Sequence, residues 1–91
     1  MPKARATITN RLGLHARPAM AFVEKASEFD SEITVRRVDQ DECVDGKSIM
    51  QMLMLAGTCG TEIELSAEGS DADRALAVLV ELVKAGFGED E

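Results

Sequence analysis

Tryptophan and tyrosine are absent, and phenylalanine occurs only three times in 91 residues. The core is therefore expected to be built from aliphatic side chains, alanine and methionine. No apolar run approaches the ~20 residues that a membrane helix needs. The longest strongly apolar stretch, residues 49–56, is far too short. The opening Met1-Pro2-Lys3-Ala4-Arg5 leads straight into a strand-like pattern with no signal-peptide core, so a cytoplasmic protein without membrane insertion is expected. Positive charge is also scarce: ten Lys and Arg face seventeen Asp and Glu, a formal net charge of −7. That balance argues against nucleic acid as the main partner, since phosphate backbones are bound through clustered cations. Cys43 and Cys59 form no CxxC pair and read as reduced, structural thiols. With a single histidine they make no metal site, and no cofactor is expected.

What remains suits one small domain spanning residues 1–91, with 45% hydrophobic and 30% charged residues. Lys3 to Thr9 alternates, with Ala4, Ala6 and Ile8 on one face. Asn10 to Leu14 reads as a loop. From His15 or Ala16 a helix begins, with Pro18 in its first turn and Ala19, Met20, Phe22, Val23 and Ala26 at helical spacing. Glu32 to Val38 is a second strand with Ile33 and Val35 inward; a turn through Asp41 leads to a third strand around Glu42 to Val44. After the break at Asp45-Gly46-Lys47, Ser48 with Gln51 forms a capping box that starts a short apolar helix. The run of Met50, Met52, Leu53, Met54 and Leu55 reads as mostly core, with one side left for partners. Gly57 to Gly60 ends that helix. Thr61 to Glu68 alternates with Ile63, Leu65 and Ala67 inward and Ser66 outward. Ser70 with Asp73 caps a last helix, whose stripe is Ala72, Ala75, Leu76, Leu79, Val80 and Val83, and Gly86 and Gly88 stop it. Glu89-Asp90-Glu91 reads as a solvated tail. The order β-α-β-β-α-β-α, with strands polar on one face, predicts an α+β two-layer open-faced sandwich.

The chemistry concentrates in Asn10 to Ala19. The sole histidine, His15, sits where a loop enters a helix, followed by Arg17 and Pro18. Imidazole is nucleophilic near neutral pH and leaves readily afterward, which suits it to hold a phosphoryl group. A helix start offers the N–H groups of Ala16 and Arg17 to an anion, and its dipole favours negative charge there. Arg17 adds a planar cationic fork for phosphate oxygens, and Pro18 stiffens the turn. Arg5, Arg11 and Arg17 together suggest a locally basic face on an acidic protein. Such a relay requires His15 to stand exposed. A capping histidine beside a chance arginine is the plain alternative.

Gly13-Leu14-His15-Ala16-Arg17-Pro18-Ala19 resembles the phosphorylation-site signature of the HPr family, the histidine-containing phosphocarriers of the bacterial phosphoenolpyruvate-dependent phosphotransferase system. The likeness extends to chain length, element order and Gly46-Lys47-Ser48-Ile49-Met50. It implies a four-stranded antiparallel sheet covered on one face by three helices. It implies that His15 takes phosphate from phospho-enzyme I at Nδ1 and gives it to an enzyme IIA-type acceptor, with Arg17 helping to hold it. The carrier would be a monomer and a stoichiometric relay, not an independent enzyme. Ser48 would be a regulatory site for HPr kinase/phosphorylase, or simply a helix cap. Ile49, Met50 and Leu53 would form an exposed apolar docking patch. Ala16 and the Gly86-Phe87-Gly88-Glu89-Asp90 ending are similar to the nitrogen-related branch, whereas Lys47-Ser48-Ile49-Met50 points to carriers under serine-kinase control, so the branch stays open. A purely regulatory binding module acting through Ser48 and a Cys–His hydrolase are the competing classes.

Overall fold

A computed structural model of the chain describes residues 2–55 and 57–88. The solvated-tail reading of Glu89, Asp90 and Glu91 lies outside the described residues. The elements are β1 (Lys3–Thr7), α1 (Ala16–Ala26), β2 (Glu32–Arg37), β3 (Cys43–Asp45), α2 (Ile49–Met54), β4 (Glu62–Glu68) and α3 (Ala72–Lys84), closed by a 3-10 turn at Gly86–Gly88. The four strands form one antiparallel sheet in the order β1-β4-β2-β3. The last strand in sequence therefore lies between two earlier ones, pairing Thr7 with Glu62 on one side and Val35 with Leu65 on the other.

Alternation on the strands buries one face. Ala6, Ile33, Val35, Ile63, Leu65 and Ala67 meet the helices through Phe22, Met52, Ala75, Leu79 and Val83. Burying each large side chain of this kind is worth about 1.5–3 kcal/mol relative to exposing it. The core is built mainly from aliphatics and alanine, with Met52 among them, as expected, and the three phenylalanines, Phe22, Phe29 and Phe87, also lie inside it. Aromatics are few here, but each covers more apolar area than any aliphatic, and none is left at the surface. Ser66 points to the open face as expected, yet it is buried, because β4 is central and neighbouring strands flank it at Lys3 and Thr34. On that face Glu64 accepts from Arg36 at 3.2 Å and Arg5 at 3.4 Å, and the Arg36 bond leads the effects that hold its carboxyl below the ordinary range.

Methionine placement departs from the periodic reading. Met52 and Leu55 are buried, but Met50, Leu53 and Met54 are exposed, so most of the α2 run faces outward. A helix of six residues can turn only one narrow stripe inward. Met20 on α1 is exposed because it lies off the face that buries Ala19, Phe22 and Ala26.

The helix caps also differ from local expectation. Ser48 caps α2 and accepts from the Gln51 N–H at 3.3 Å. The Gln51 side chain, however, reaches past Ser48 to the Asp45 N–H at 2.8 Å. At α3 the cap position belongs to Asp71, not Ser70. Its carboxylate turns away from its own helix and accepts from the N–H groups of Asp30 at 2.9 Å and Ser31 at 3.0 Å, and from the Ser31 hydroxyl. Three donors on the α1–β2 connection satisfy a carboxylate better than one local amide, and Ser31 is wholly buried beside it.

These bonds, the Ser31 hydroxyl first, hold the Asp71 carboxyl below its ordinary value of 3.8. Because folding lowers that pKa, the contribution is complete above 3.8 and is lost as pH falls through the folded value. Asp71→Asn is therefore expected to melt below the parent at pH 7, with the gap closing in acid. Thermal unfolding followed by circular dichroism at pH 7 and pH 3 reads this; a gap that widens in acid would refute the assignment.

Candidate functional site

Two loops meet at the end of the sheet where β1 leaves it and β4 enters. Past β1 the pairing continues as Ile8 N–H to Thr61 carbonyl at 2.8 Å and Gly60 N–H to Ile8 carbonyl at 2.8 Å. Leu14 then donates to the Gly57 carbonyl at 2.7 Å, which pins the loop preceding α1 onto the loop preceding β4. The approach is so close that a Cβ on Gly13 would lie 2.5 Å from the Gly57 carbonyl oxygen and 2.8 Å from Thr58 Cα. Gly13 also has φ +70, a left-handed conformation that favours glycine. Both facts explain why glycine occupies this position.

His15 is the N-cap residue of α1, in extended conformation at φ −100 and ψ −167. Its carbonyl accepts the Ala19 N–H at 2.9 Å, the first bond of the helix. Pro18, which has no N–H, occupies the third helical position and is buried. That leaves the amides of Ala16 and Arg17, which have no hydrogen-bond acceptor among the described residues. No acidic residue lies in the first turn. The positive end of α1 therefore presents two N–H groups to solvent directly after the histidine. Arg17 is exposed, and its guanidinium makes no ion pair among the described residues. An anion at this end would meet amides, dipole and guanidinium together.

Two sequence expectations are corrected here. The imidazole does not stand fully open: His15 is half-buried, with Nε2 shut away from solvent. An N-cap side chain lies back along the entering loop, and that loop is itself packed down through Leu14. Arg5 is not part of a basic face at the site, because it lies on the outer face of β1 and pairs with Glu64.

Ser48 is half-buried at the head of α2, and its N–H donates to the Asp45 carbonyl at 3.1 Å. Lys47 anchors this corner by donating from Nζ to the Phe29 carbonyl at 2.7 Å. Of the expected patch, Met50 is 69% exposed and Leu53 38%, but Ile49 packs partly against the core and is not an open docking side chain. The exposed large apolar side chains also include Leu12, Met20 and Met54. Sequence reasoning missed Leu12 and Met54 as surface groups, since an apolar residue in a loop or short helix carries no periodicity to reveal its direction. Cys43 and Cys59 are both free, in line with the expected absence of a disulfide, and both are exposed. Cys59 Sγ donates to the Thr9 carbonyl at 3.7 Å, and Cys43 pairs with Arg36 across the sheet.

A family model described as PTS-HPr, PTS HPr component phosphorylation site, matches residues 2–85. Phosphocarrier protein HPr of Pseudomonas aeruginosa is 47% identical over 91 residues, covering 100% of both chains. Phosphocarrier protein NPr of Escherichia coli is 40% identical over 88 residues, covering 97% of each. Among solved structures, the crystal structure of HPr-C-His from Thermoanaerobacter tengcongensis superposes with a TM-score of 0.91 at 42% identity, covering 100% of both chains.

Gly13→Ala should lower stability by roughly 1–3 kcal/mol through the strained φ and the backbone clash. Urea unfolding measures this, and a neutral substitution would show that the two loops are not held in the described approach.

Proposed function

This chain belongs to the HPr family of phosphocarriers of the phosphotransferase system, and we propose that it relays a phosphoryl group on His15. The observation that carries this reading is the pair of amides, Ala16 and Arg17, without acceptors among the described residues and immediately after the one histidine. Phosphoryl transfer passes through a loose transition state with charge on the equatorial oxygens, so the protein's work is to position the group and counter that charge. Burial of Nε2 directs the reaction to Nδ1. The Nδ1 lone pair takes the phosphoryl group from phospho-enzyme I as the donor's bond to phosphorus breaks. In the second half the same bond breaks toward an enzyme IIA-type acceptor. The Ala16 and Arg17 amides and the Arg17 guanidinium balance the oxygens in both directions. Ala16 contributes its N–H and no hydroxyl, and Pro18 holds the turn.

Partners would dock over the exposed side chains of Met20 on α1 and Met50, Leu53 and Met54 on α2, with Leu12 beside the histidine loop. Flexible methionines suit a surface that meets both a donor and an acceptor. Ser48 lies at the head of α2, two residues before Met50 and five before Leu53. Phosphorylation there by HPr kinase/phosphorylase would add about −2 charge beside the patch and weaken docking, while the helix start tolerates the anion. In this reading residues 1–91 act as one monomeric, cytoplasmic carrier domain, needing no cofactor and turning over no substrate by itself. A Cys–His hydrolase is disfavoured, since the Cys59 thiol faces the Thr9 carbonyl and Cys43 lies on the edge strand β3. The nitrogen branch is the second reading, favoured by Ala16 and by the likeness to NPr.

Incubation with phosphoenolpyruvate and enzyme I, followed by intact-mass measurement, is expected to add one acid-labile phosphate. His15→Ala should take none, and Ser48→Ala should still take one. A phosphate retained in His15→Ala would overturn the reading. Arg17→Ala should fold normally and transfer at least about tenfold more slowly, the scale of losing one charge-stabilising group. Stopped transfer assays check this, and an unchanged rate removes Arg17 from the site. Ser48→Asp should slow phosphorylation by enzyme I without lowering the amount of phosphate finally held; an unaltered rate would leave Ser48 as a helix cap alone.

A further inference from the structure

Asn10 opens the loop that carries His15 and is only 3% exposed. A polar side chain at that depth is stable only when hydrogen-bonded. Its Nδ2 donates to the Gly13 carbonyl at 2.6 Å, and its own carbonyl accepts the Gly13 N–H at 3.0 Å. The same Gly13 carbonyl accepts the His15 N–H at 3.1 Å. One carbonyl oxygen thus joins the side chain of Asn10 to the backbone of the histidine. From the other side the C-terminal turn closes in: a Cβ on Gly86 would lie 3.5 Å from Asn10 Cβ. That turn is anchored by Phe87, which is buried with φ 59.

We propose that Asn10 is a positioning residue: held between Gly13 and the Gly86–Gly88 turn, its side-chain amide fixes the backbone that aims His15, without touching phosphate. This inference rests on the phosphocarrier reading of His15. A carbonyl fixed by one donor is a better-placed acceptor for the next, so the Asn10 bond sets where the His15 N–H lies. Phosphoryl transfer depends mainly on placement, and a small displacement of the accepting nitrogen lowers its rate. Aspartate would place an oxygen against the Gly13 carbonyl, and alanine would leave that carbonyl with the His15 N–H alone.

The test measures phosphoryl transfer from enzyme I and phosphoenolpyruvate, together with the His15 ring resonances by nitrogen NMR. The variants are Asn10→Ala, Asn10→Asp, Asn10→Ser and Ser31→Ala. Ser31 bonds Asp71 beyond the opposite end of α1, so Ser31→Ala supplies a stability loss away from the loop, matched by melting temperature. Asn10→Ala and Asn10→Asp are expected to transfer about tenfold more slowly, with displaced His15 resonances. Asn10→Ser keeps a hydroxyl donor on a shorter stem; it should recover part of the rate, and it carries the comparison if Asn10→Ala does not fold. Ser31→Ala should match the parent in both readouts. Parent-like rates in the Asn10 variants, unmoved resonances, or equal slowing in Ser31→Ala would overturn the proposal. A parent that takes no phosphate sinks the carrier reading instead, and the resonances then decide the role of Asn10 alone.

Discussion

The pairing of β4 with β1 is the interaction on which the rest of this molecule depends. It joins residues more than fifty positions apart in the chain, Thr7 with Glu62 and Lys3 with Ser66. It closes the sheet, since β4 also carries β2, and it supplies the central strip of the core at Ile63, Leu65 and Ala67. Extended past the strand ends through Ile8, Gly60 and Thr61, the same pairing brings Gly57 under Leu14. The histidine loop is therefore held by a contact that exists only after the last strand is in place. Non-local pairing of this kind costs chain entropy before it returns any stability, and the loop contact depends on it.

One-sided burial explains how so small a chain supports both a core and a docking surface. All the apolar strand faces look the same way, and three helices cover them, so each helix has an outer side. On α3 that side carries charge, including Asp73 and Glu81, whereas on α2 it carries Met50, Leu53 and Met54. The acidic balance of the chain is likewise organised. Arg5 and Arg36 are used on the open sheet face by Glu64, while Arg17 at the start of α1 has no acidic partner among the described residues. A cation left free at a helix N-terminus of a protein with net charge −7 is a local departure from the whole, and it coincides with the histidine.

Much of this was legible in the residues. Alternation identified the strands, and Ile33, Val35, Ile63 and Leu65 lie inside as their spacing requires. Pro18 and His15 marked the start of α1 to within one residue, because proline is tolerated only in a first turn. The errors share a cause. Ser70 lost its cap role to tertiary donors on Asp30 and Ser31, Gln51 reached Asp45 and not Ser48, and Met20 and Met54 turned outward. In each case a local preference was outweighed by a partner or a surface that adjoining residues do not reveal.

The sequence by itself determined which atoms could do chemistry: one imidazole, a proline-marked helix start with two donor amides, and an arginine two positions on. These depend on covalent identity and on spacing within a single turn, so no distant contact was needed to read them. Only the tertiary structure decided that β4 lies between β1 and β2, that Nε2 is buried, and that Asn10 and Gly13 are clamped beneath the histidine. Those outcomes belong to pairings across the whole chain, where burial and backbone hydrogen bonds compete, and no local pattern encodes which one wins.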